Sequence, residues 1–387
     1  MQGTVFAWGD NSNGQLGNGS TVGRATPGEV PGLREVAALE AGCGHILALL
    51  ADGTVMGWGR NGFGQACGIT TDAQTSPAPV PGLTGVKSLV PGGGHSLVLR
   101  EDGTVWGWGA GFFGMLGDLS LGIQPVPGRV PGLEDVIKVV AGGSHNLAMT
   151  ADGSVWSWGR DDHGQLGDGA DVSRPGRRTV EFQGQSFACR TTPAKVEGLS
   201  DVRDIAAGGG HSLALLGDGT VLAWGYDDRG QLGDGSTTDR AAPGPMRGLT
   251  GVRAIAAGYH HTLAMLADGS VWACGLNDGG QCGDGSTEHR MVCVQAAGVG
   301  DAVSIAANGG GTDTNPGNGG HSVALRADGT VVAWGYNDFG QLGDGTTEAR
   351  LTPVEVTGLS GISHVTAGGE VPQFRENPGG GYALALR

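Results

Sequence analysis

Residues 202–237 read VRDIAAGGGHSLALLGDGTVLAWGYDDRGQLGDGST, and this stretch decides the fold. It holds an apolar run before the Gly cluster and two more runs joined by an Asp-Gly pair, which is a strong β-hairpin signal. A Gly-rich connection follows Trp224 and leads to Pro243. Proline belongs at a sheet edge because it cannot donate to a strand ladder. The stretch therefore predicts a four-stranded unit, whose strands we name A, B, C and D.

The same unit recurs around the whole chain. Its Trp occurs at Trp8, Trp58, Trp108, Trp158, Trp224 and Trp334, with Cys274 at the seventh position. Successive spacings are 50, 50, 50, 66, 50 and 60 residues, and the spacing that wraps across the two termini is 61. Together they equal 387, which is seven units of 50 plus insertions of 16, 10 and 11 residues.

A repeat that closes on itself without remainder predicts an all-β fold, a seven-bladed β-propeller of four-stranded blades. We expect the N- and C-terminal strands to pair and to complete one blade. The prediction is a single domain over residues 1–387, with insertions at about 170–192, 308–320 and 369–381. In such a meander the A–B and C–D connections lie on one face, so all three insertions are expected to project from the same face.

Residue types that recur once per unit are interpreted as structural. The Trp residues are expected in the core between blades. Six His residues recur at the starts of the B strands, with Tyr at the seventh position: His45, His95, His145, His211, His261, His321 and Tyr382. One imidazole per blade on a wide circle does not favour a metal site, so we expect these His to tie adjacent turns through backbone hydrogen bonds.

The Asp of each Gly-Asp-Gly is interpreted as an Asx turn, because the ordered twelve-residue ligand spacing of a calcium loop is missing. Asp168, Asp234, Asp284 and Asp344 are the residues concerned. There is no Walker-type loop and no Gly-x-Ser-x-Gly. We therefore expect no cofactor and no metal.

Composition narrows the function classes. The formal net charge is −15, from 23 Lys+Arg and 38 Asp+Glu, which disfavours nucleic-acid binding because that affinity comes largely from neutralising phosphates. No run approaches the roughly 18 apolar residues of a membrane helix, and no basic-then-apolar leader precedes the first strand. The six Cys show no paired spacing and are interpreted as free thiols in a reducing compartment. We expect a soluble, cytoplasmic monomer, and the excess of Arg over Lys looks bacterial.

The combination of A-G-G-G-H-S-L-A-L, D-G-T-V-x-x-W-G and D-x-G-Q-L-G-D-G resembles the regulator of chromosome condensation repeat family. The resemblance covers essentially the whole chain apart from the insertions, and it implies a seven-bladed propeller. It does not imply one function. The family's eukaryotic founder is an exchange factor for a small GTPase that also docks on chromatin, and other members are a plant photoreceptor and a bacterial enzyme inhibitor. The basic extensions of the founder and the G-W-R-H-T motif of the photoreceptor are missing here.

Aromatic residues are concentrated in the connections of the predicted insertion face. Of 12 Phe and Tyr, only Phe6 is plainly a strand residue. Aromatic side chains on loop tips offer large contact area at low entropy cost, so they favour a recognition surface, although they could instead pack locally over the long loops. The 16-residue insertion also carries Arg174, Arg177, Arg178 and Arg190, a locally basic finger on an acidic body. The residues expected to contact a partner are Phe63, Phe112, Phe113, His163, Arg177, Arg178, Phe182, Phe187, Tyr226, Arg229, Tyr259, His260, Tyr336, Phe339, Phe374 and Tyr382.

The leading hypothesis is a rigid scaffold that binds a protein or peptide on its insertion face. Two alternatives stay open. One is an enzyme at the channel mouth, using residues outside the repeat pattern such as His163, His260, Cys189 or Tyr382. The other is an exchange-factor-like role on a small GTPase, which only the family resemblance suggests.

Overall fold

The strand pattern of the sequence is realised in a computed structural model that describes residues 3–68, 73–169, 177–308, 320–369 and 380–387. Within these ranges there are 29 β-strands, and no helix is long and apolar enough to cross a membrane. In chain order the strands are β1 (Val5–Gly9), β2 (Arg24–Glu29), β3 (Val36–Ala41), β4 (His45–Leu50), β5 (Val55–Arg60), β6 (Ala73–Pro79), β7 (Val86–Pro91), β8 (His95–Arg100), β9 (Val105–Ala110), β10 (Ile123–Arg129), β11 (Val136–Ala141), β12 (His145–Thr150), β13 (Val155–Arg160), β14 (Arg177–Phe182), β15 (Gln185–Lys195), β16 (Val202–Ala207), β17 (His211–Leu216), β18 (Val221–Gly225), β19 (Arg240–Pro245), β20 (Val252–Ala257), β21 (His261–Leu266), β22 (Ser270–Gly275), β23 (Arg290–Gly300), β24 (Ala302–Asn308), β25 (His321–Arg326), β26 (Val331–Gly335), β27 (Arg350–Glu355), β28 (His364–Gly369) and β29 (Gly381–Leu386).

These strands form seven antiparallel sheets, which are the blades of a β-propeller. In order around the ring they are blade I (β28-β29-β1-β2), blade II (β3 to β6), blade III (β7 to β10), blade IV (β11 to β15), blade V (β16 to β19), blade VI (β20 to β23) and blade VII (β24 to β27). Blade I is closed by the two chain ends, since β1 pairs with β29 from Val5↔Leu386 to Gly9↔Tyr382. The predicted closure is confirmed.

Blade IV differs from the others because the 16-residue insertion adds a strand to it. Strand β14 pairs with β15 from Arg177↔Arg190 to Phe182↔Gln185, and β15 continues along β13 as the usual D strand. The turn of this hairpin has positive φ at Gln183 (50°) and Gly184 (77°), which matches the right-handed twist of the strands it joins. The inserted hairpin therefore extends the C–D connection of blade IV as ordered sheet.

The core lies between blades, and Trp side chains fill it as the sequence predicts. All six repeat Trp residues are fully buried, and each indole N–H donates to a backbone carbonyl of the preceding blade at 2.8–3.0 Å. The Gly after Gln-Leu makes room for the ring: a Cβ on Gly343 would lie 2.7 Å from Nε1 of Trp8, and its φ is +65°. This Gly is therefore required for the blade-to-blade contact.

Because consecutive strands are antiparallel, the A–B and C–D connections share one face of the propeller, and the B–C and D–A connections share the other. We call the first the A–B/C–D face. Residues 170–176, 309–319 and 370–379, which belong to the three predicted insertions, lie outside the described residues.

Candidate functional site

Five of the His residues at the starts of the B strands, in blades II to VI, link their blade to the next one through side chains. Nε2 of His45 lies 2.7 Å from Oγ of Ser96, and Nε2 of His95 lies 2.6 Å from Oδ1 of Asn146. The same bond joins His145 to Ser212, His211 to Thr262 and His261 to Ser322. For Nε2 of these five His the expectation of backbone partners is corrected, because the second residue of the next B strand offers a buried polar side chain within reach.

These bonds fix which imidazole nitrogen carries the proton. The hydroxyl of Ser96 donates its hydrogen to the carbonyl of Gln65 at 2.8 Å, so it can only accept from His45. Nε2 of His45 therefore carries a proton. Burial first, and then the nearby His95 and Arg60, lower the pKa of His45 from 6.5 to about 3. A neutral imidazole whose Nε2–H bonds to the next blade has a structural role.

Tyr382 replaces the His in the blade that closes the ring, and it is fully buried. Its hydroxyl donates to the carbonyl of Gly42 at 2.8 Å and accepts from the backbone N–H of Gly44 at 3.2 Å. The longer phenol thus reaches across to blade II. The expected role of Tyr382 in contacting a partner is corrected, because the side chain is not exposed.

Five Phe residues from three blades form one cluster, which we call the Phe cluster: Phe63, Phe112, Phe113, Phe182 and Phe187. Phe63 and Phe112 meet edge to face at 5.3 Å between ring centroids, and Phe182 lies 5.4 Å from Phe112. Phe113 is fully buried and contacts both hairpin rings, Phe182 and Phe187, at 5.3 Å. Local packing over the long connections, the alternative that the sequence left open, thus accounts for Phe113, while the other four rings are half-buried.

A second group lies on blades IV to VI and consists of His163, Tyr226, Tyr259 and His260, which we call the Tyr–His group. The ring centroids of His163 and Tyr226 are 4.1 Å apart, and those of Tyr226 and His260 are 5.7 Å apart. Tyr259 and His260 are 6% and 3% exposed, so they support this surface from beneath. Their expected direct contact with a partner is corrected for the same reason.

His163 is held between two carboxylates. Its Nδ1 lies 2.8 Å from Asp239 and its Nε2 lies 3.2 Å from Asp162. Burial lowers the pKa of His163, but the hydrogen bond to Asp239 and the charges of both carboxylates outweigh burial, so the pKa lies above its ordinary value. The side chain therefore carries a positive charge over a wider pH range than a free His.

A cavity of about 300 Å³ connects the two groups. Its walls are Phe113, Arg160, Asp162, His163, Phe182, Gln183, Gln185 and Phe187. The guanidinium of Arg160 lies 4.7 Å from the ring centroid of Phe187 and is also paired with Asp162 at 2.7 Å. The cavity is therefore an aromatic pocket with paired charges at its side, formed by the inserted hairpin against the C–D tip of blade IV.

The basic finger that the sequence suggested is largely neutralised. Arg190 is fully buried and forms an ion pair with Asp168, and Arg177 pairs with Asp168 at 2.6 Å and also with Asp161. Arg190 begins the D-strand ladder opposite Gly159, in the place of Arg240 and Arg350 in their blades. The expected role of Arg177 in binding a partner is corrected, whereas Arg178 is exposed.

The remaining predicted residues lie apart from the cavity. The ring of Tyr336 lies over Gly279 of the preceding blade, where a Cβ would be 2.4 Å from the ring. Phe339 is 38% exposed, and Arg229 pairs with Asp228 at 3.3 Å. Phe374 and Arg174 lie outside the described residues. The structure therefore brings together the predicted aromatic residues and His163 of blades II to VI, and leaves Arg229 of blade V and the residues of blade VII apart from the cavity.

Three of the four Asp residues of Gly-Asp-Gly form the expected Asx turn: Asp284 accepts from the N–H of Ser286, Asp344 from that of Thr346 and Asp234 from that of Ser236. Each also pairs with the Arg that begins its D strand, a partner that the sequence reasoning missed. Among the described residues, no group of three or more His, Cys, Asp or Glu could hold a metal ion.

A family profile described as "Regulator of chromosome condensation (RCC1) repeat" matches residues 2–49, 102–149, 152–215, 218–265 and 328–371. A second profile of the same description matches residues 36–65, 86–114, 136–165, 202–231 and 252–281. Among curated proteins, "Protein pim1" of Schizosaccharomyces pombe is 45% identical over 67 residues, 17% of this chain and 12% of pim1. Human "Probable E3 ubiquitin-protein ligase HERC3" is 39% identical over 59 residues, 15% of this chain and 6% of HERC3. Both matches thus span a small fraction of the relative.

Solved structures match over the full chain. Yeast RCC1 (Prp20) bound to Kap60 superimposes with a TM-score of 0.80 at 23% identity, covering 100% of this chain and 88% of that one. Human WBSCR16 gives a TM-score of 0.80 at 23% identity, covering 100% and 99%. At this identity the likeness concerns the fold. Seven blades, the repeated Trp and His contacts and the profile matches over more than half of the sequence lead to one conclusion: the chain belongs to the regulator of chromosome condensation (RCC1) repeat family.

Proposed function

We propose that this propeller is a protein-binding module that holds a protein or peptide on its A–B/C–D face, with an apolar side chain of the partner inserted into the aromatic cavity. The observation that carries the proposal is the cavity itself. It is about 300 Å³ in volume, a size that can take a large side chain, and rings from two blades line it. Pockets of this kind are where interface hot spots occur.

The chemistry of the walls favours a peptide over a small polar metabolite. Phe182 and Phe187 are half-buried, so some of each ring is still available for contact. They are already ordered by contacts with Phe113, which keeps the entropy cost of binding low. Arg160 and Asp162, paired with each other at the wall, offer a donor and an acceptor to the main chain of a bound peptide.

The family relatives support the same class of role. Yeast Prp20 has a solved structure bound to Kap60, and another structure of it is described together with its binding properties to Gsp1p and histones. Those partners belong to Prp20, and a likeness at 23% identity does not carry them to this chain. What supports the proposal is that the same fold serves as a protein-binding surface.

The enzyme alternative is weakened by the surroundings of its candidate residues. Burial raises the pKa of Cys189 to about 11, so its thiol is protonated at neutral pH and is a poor nucleophile. The hydroxyl of Tyr382 is used in closing the ring. His163 is held by two carboxylates and stacks on Tyr226. The exchange-factor role stays a prediction from the family, and nucleotide-release kinetics with small GTPases test it.

A displayed peptide library selected on the purified propeller tests the proposal. We expect selected peptides to share one large apolar residue, and we expect Phe187→Ala and Phe182→Ala each to weaken their binding about tenfold or more, as hot-spot truncations do. Val303→Ala is the matched control, since Val303 is 53% exposed near the start of an A strand, on the other face. Peptides that bind the Phe187→Ala and Phe182→Ala variants as well as the parent would refute the proposed site.

A further inference from the structure

Blade VI differs from the other six at one cross-strand pair. In blade I, Trp8 and Pro27 adjoin the pair Ala7↔Gly28 on the two strands, where the register shifts, and the same Trp–Pro combination occurs in every blade except blade VI. In blade VI the register shifts after the pair Ala273↔Val294, and the residues that adjoin this pair on the two strands are Cys274 and Cys293. Both members of a pair that is repeated six times are thus replaced by Cys together, in one blade only.

The two thiols lie close to each other on the same side of the sheet. Both are buried in one core cluster with Met246, Cys274 at 0% and Cys293 at 7% exposure. A Cβ placed on Gly233 would lie 2.9 Å from Sγ of Cys274 and 3.6 Å from Sγ of Cys293, so both sulfurs border the same small volume. That volume is the one that an indole fills in the other blades.

The backbone geometry suits a disulfide. Both Sγ atoms lie within 3.6 Å of one point beside Gly233, so the two sulfurs are close to each other across the strands. Disulfides span Cα distances of about 4.4–6.8 Å, a range that residues adjoining a directly paired position can meet. Cys282, the third Cys of this blade, lies in the neighbouring core cluster beside Trp334 and has no such cross-strand position.

We propose that Cys274 and Cys293 form a redox modification site, a dithiol that becomes an intramolecular disulfide joining strands β22 and β23. In the structure both thiols are reduced. The oxidant is a low-molecular-weight disulfide such as oxidised glutathione. Cys293, on the outer edge strand, loses its proton and attacks one sulfur, forming a mixed disulfide and releasing one glutathione thiolate. Cys274 then loses its proton and displaces the second glutathione, so two protein thiols are oxidised and one disulfide is reduced to two thiols.

The outer strand offers the route of access. Met291 and Val292, which precede Cys293 on β23, are 42% and 38% exposed. The bond would close a loop that contains the whole C–D tip of blade VI. Oxidation would therefore fix the outer strand of this one blade to its neighbour and leave the other six blades as they are.

The test is oxidation of the full-length reduced protein with glutathione, followed by alkylation of free thiols and peptide mass spectrometry. The protein is also unfolded, reduced and refolded in mixtures of reduced and oxidised glutathione, so that burial does not limit access. We expect one linked peptide pair, Cys274 with Cys293, lighter by two hydrogen atoms than the dithiol. Cys282→Ala should keep this product and Cys293→Ala should lose it.

Two results would overturn the proposal. One is a refolded protein in which Cys274 and Cys293 both remain alkylatable at ratios of glutathione that oxidise ordinary structural disulfides. The other is a dominant link from Cys274 to Cys282 or to a Cys outside blade VI.

Discussion

His45 donates its Nε2–H to the hydroxyl of Ser96, 2.7 Å away in the next blade, and Ser96 passes its own hydrogen to the carbonyl of Gln65. The same carbonyl accepts the indole N–H of Trp108. In blades III, IV, V and VII one backbone oxygen of the preceding C–D tip thus accepts both the indole N–H and the donor at the second position of the B strand. The imidazole in this contact is neutral, because burial disfavours its charged form and lowers its pKa to about 3.

Acidification should therefore destabilise the propeller. Below pH 6.5 the unfolded chain binds a proton at His45 that the folded state does not take up until about pH 3. The free energy of unfolding therefore decreases as the pH falls between these two values, and His45 accounts for about 1.4 kcal/mol of the decrease per pH unit. We expect His45→Gln to reduce the slope of unfolding free energy against pH by that amount between about pH 6 and pH 4, as measured by urea unfolding.

His364→Gln is the control for this measurement. Burial lowers the pKa of His364, and the carboxylate of Glu40 raises it. The raising effect is the larger, so the pKa lies above its ordinary value. Both states therefore hold the proton between about pH 4 and pH 6, and the slope there should not change. An equal slope in the His45→Gln variant and the parent would contradict the neutral-imidazole account.

The buried ion pair under the inserted hairpin should be costly to break. Arg190→Met removes one of the guanidinium partners of the buried Asp168 carboxylate, and we expect a loss of about 3–5 kcal/mol in unfolding free energy. Arg178→Met removes an exposed guanidinium from the same hairpin and should change stability by less than about 0.5 kcal/mol. Replacing Asp168 by Leu in the Arg190→Met background should recover much of the loss. Equal effects of the two Arg variants would argue against the buried pair.

The indole N–H of the repeat Trp should contribute separately from ring burial. Trp58→Phe leaves the carbonyl of Gln15 without the donor it has at 2.9 Å, and we expect a loss of about 1–3 kcal/mol from this change. Trp106→Phe makes the same chemical change at another position. The N–H of Trp106 donates to the part-buried hydroxyl of Thr104, where a water molecule can take the place of the lost donor. Chemical denaturation of both variants gives the comparison, and a Trp106→Phe variant that is as destabilised as Trp58→Phe would speak against it.

The disulfide proposed for blade VI should stabilise the fold. A loop of the length between Cys274 and Cys293 lowers the entropy of the unfolded chain by an amount worth about 3 kcal/mol. We expect the oxidised protein to unfold at higher denaturant concentration than the reduced protein, and the Cys293→Ala variant to unfold alike under both conditions. An oxidised form that is less stable would mean that the bond strains the strands.

Features tied to the repeat could be predicted from sequence, because seven copies reveal which positions every blade needs. The closure of β1 on β29 and the burial of the Trp residues follow from period alone. The inserted hairpin has no second copy for comparison. The alternation of Val180, Phe182, Phe187 and Cys189 around the Gln183-Gly184 turn is a hairpin signal, whereas the Arg residues of the same segment indicate only a basic finger.

The sequence predicts the face on which the candidate site lies but not which of its side chains are buried. Its aromatic residues could be assigned to one face from strand order. Which of them would be buried could not, because Phe113 and Arg190 are covered by a hairpin whose path depends on tertiary contacts. The ion partners Asp161 and Asp168 belong to the repeat pattern, and only the coordinates show that two Arg residues share them.

The seven interfaces between adjacent blades of the ring are not equal. At six interfaces an indole N–H bonds the preceding blade at 2.8–3.0 Å, whereas between blades V and VI the sulfur of Cys274 lies 3.9 Å from the carbonyl of Gln231. A thiol is a weak donor, so this interface lacks a strong bond that every other interface has. Local opening of the ring, measured as faster amide hydrogen exchange, should therefore occur first between blades V and VI. A molecule that enters by separating two adjacent blades should enter most easily at the same interface.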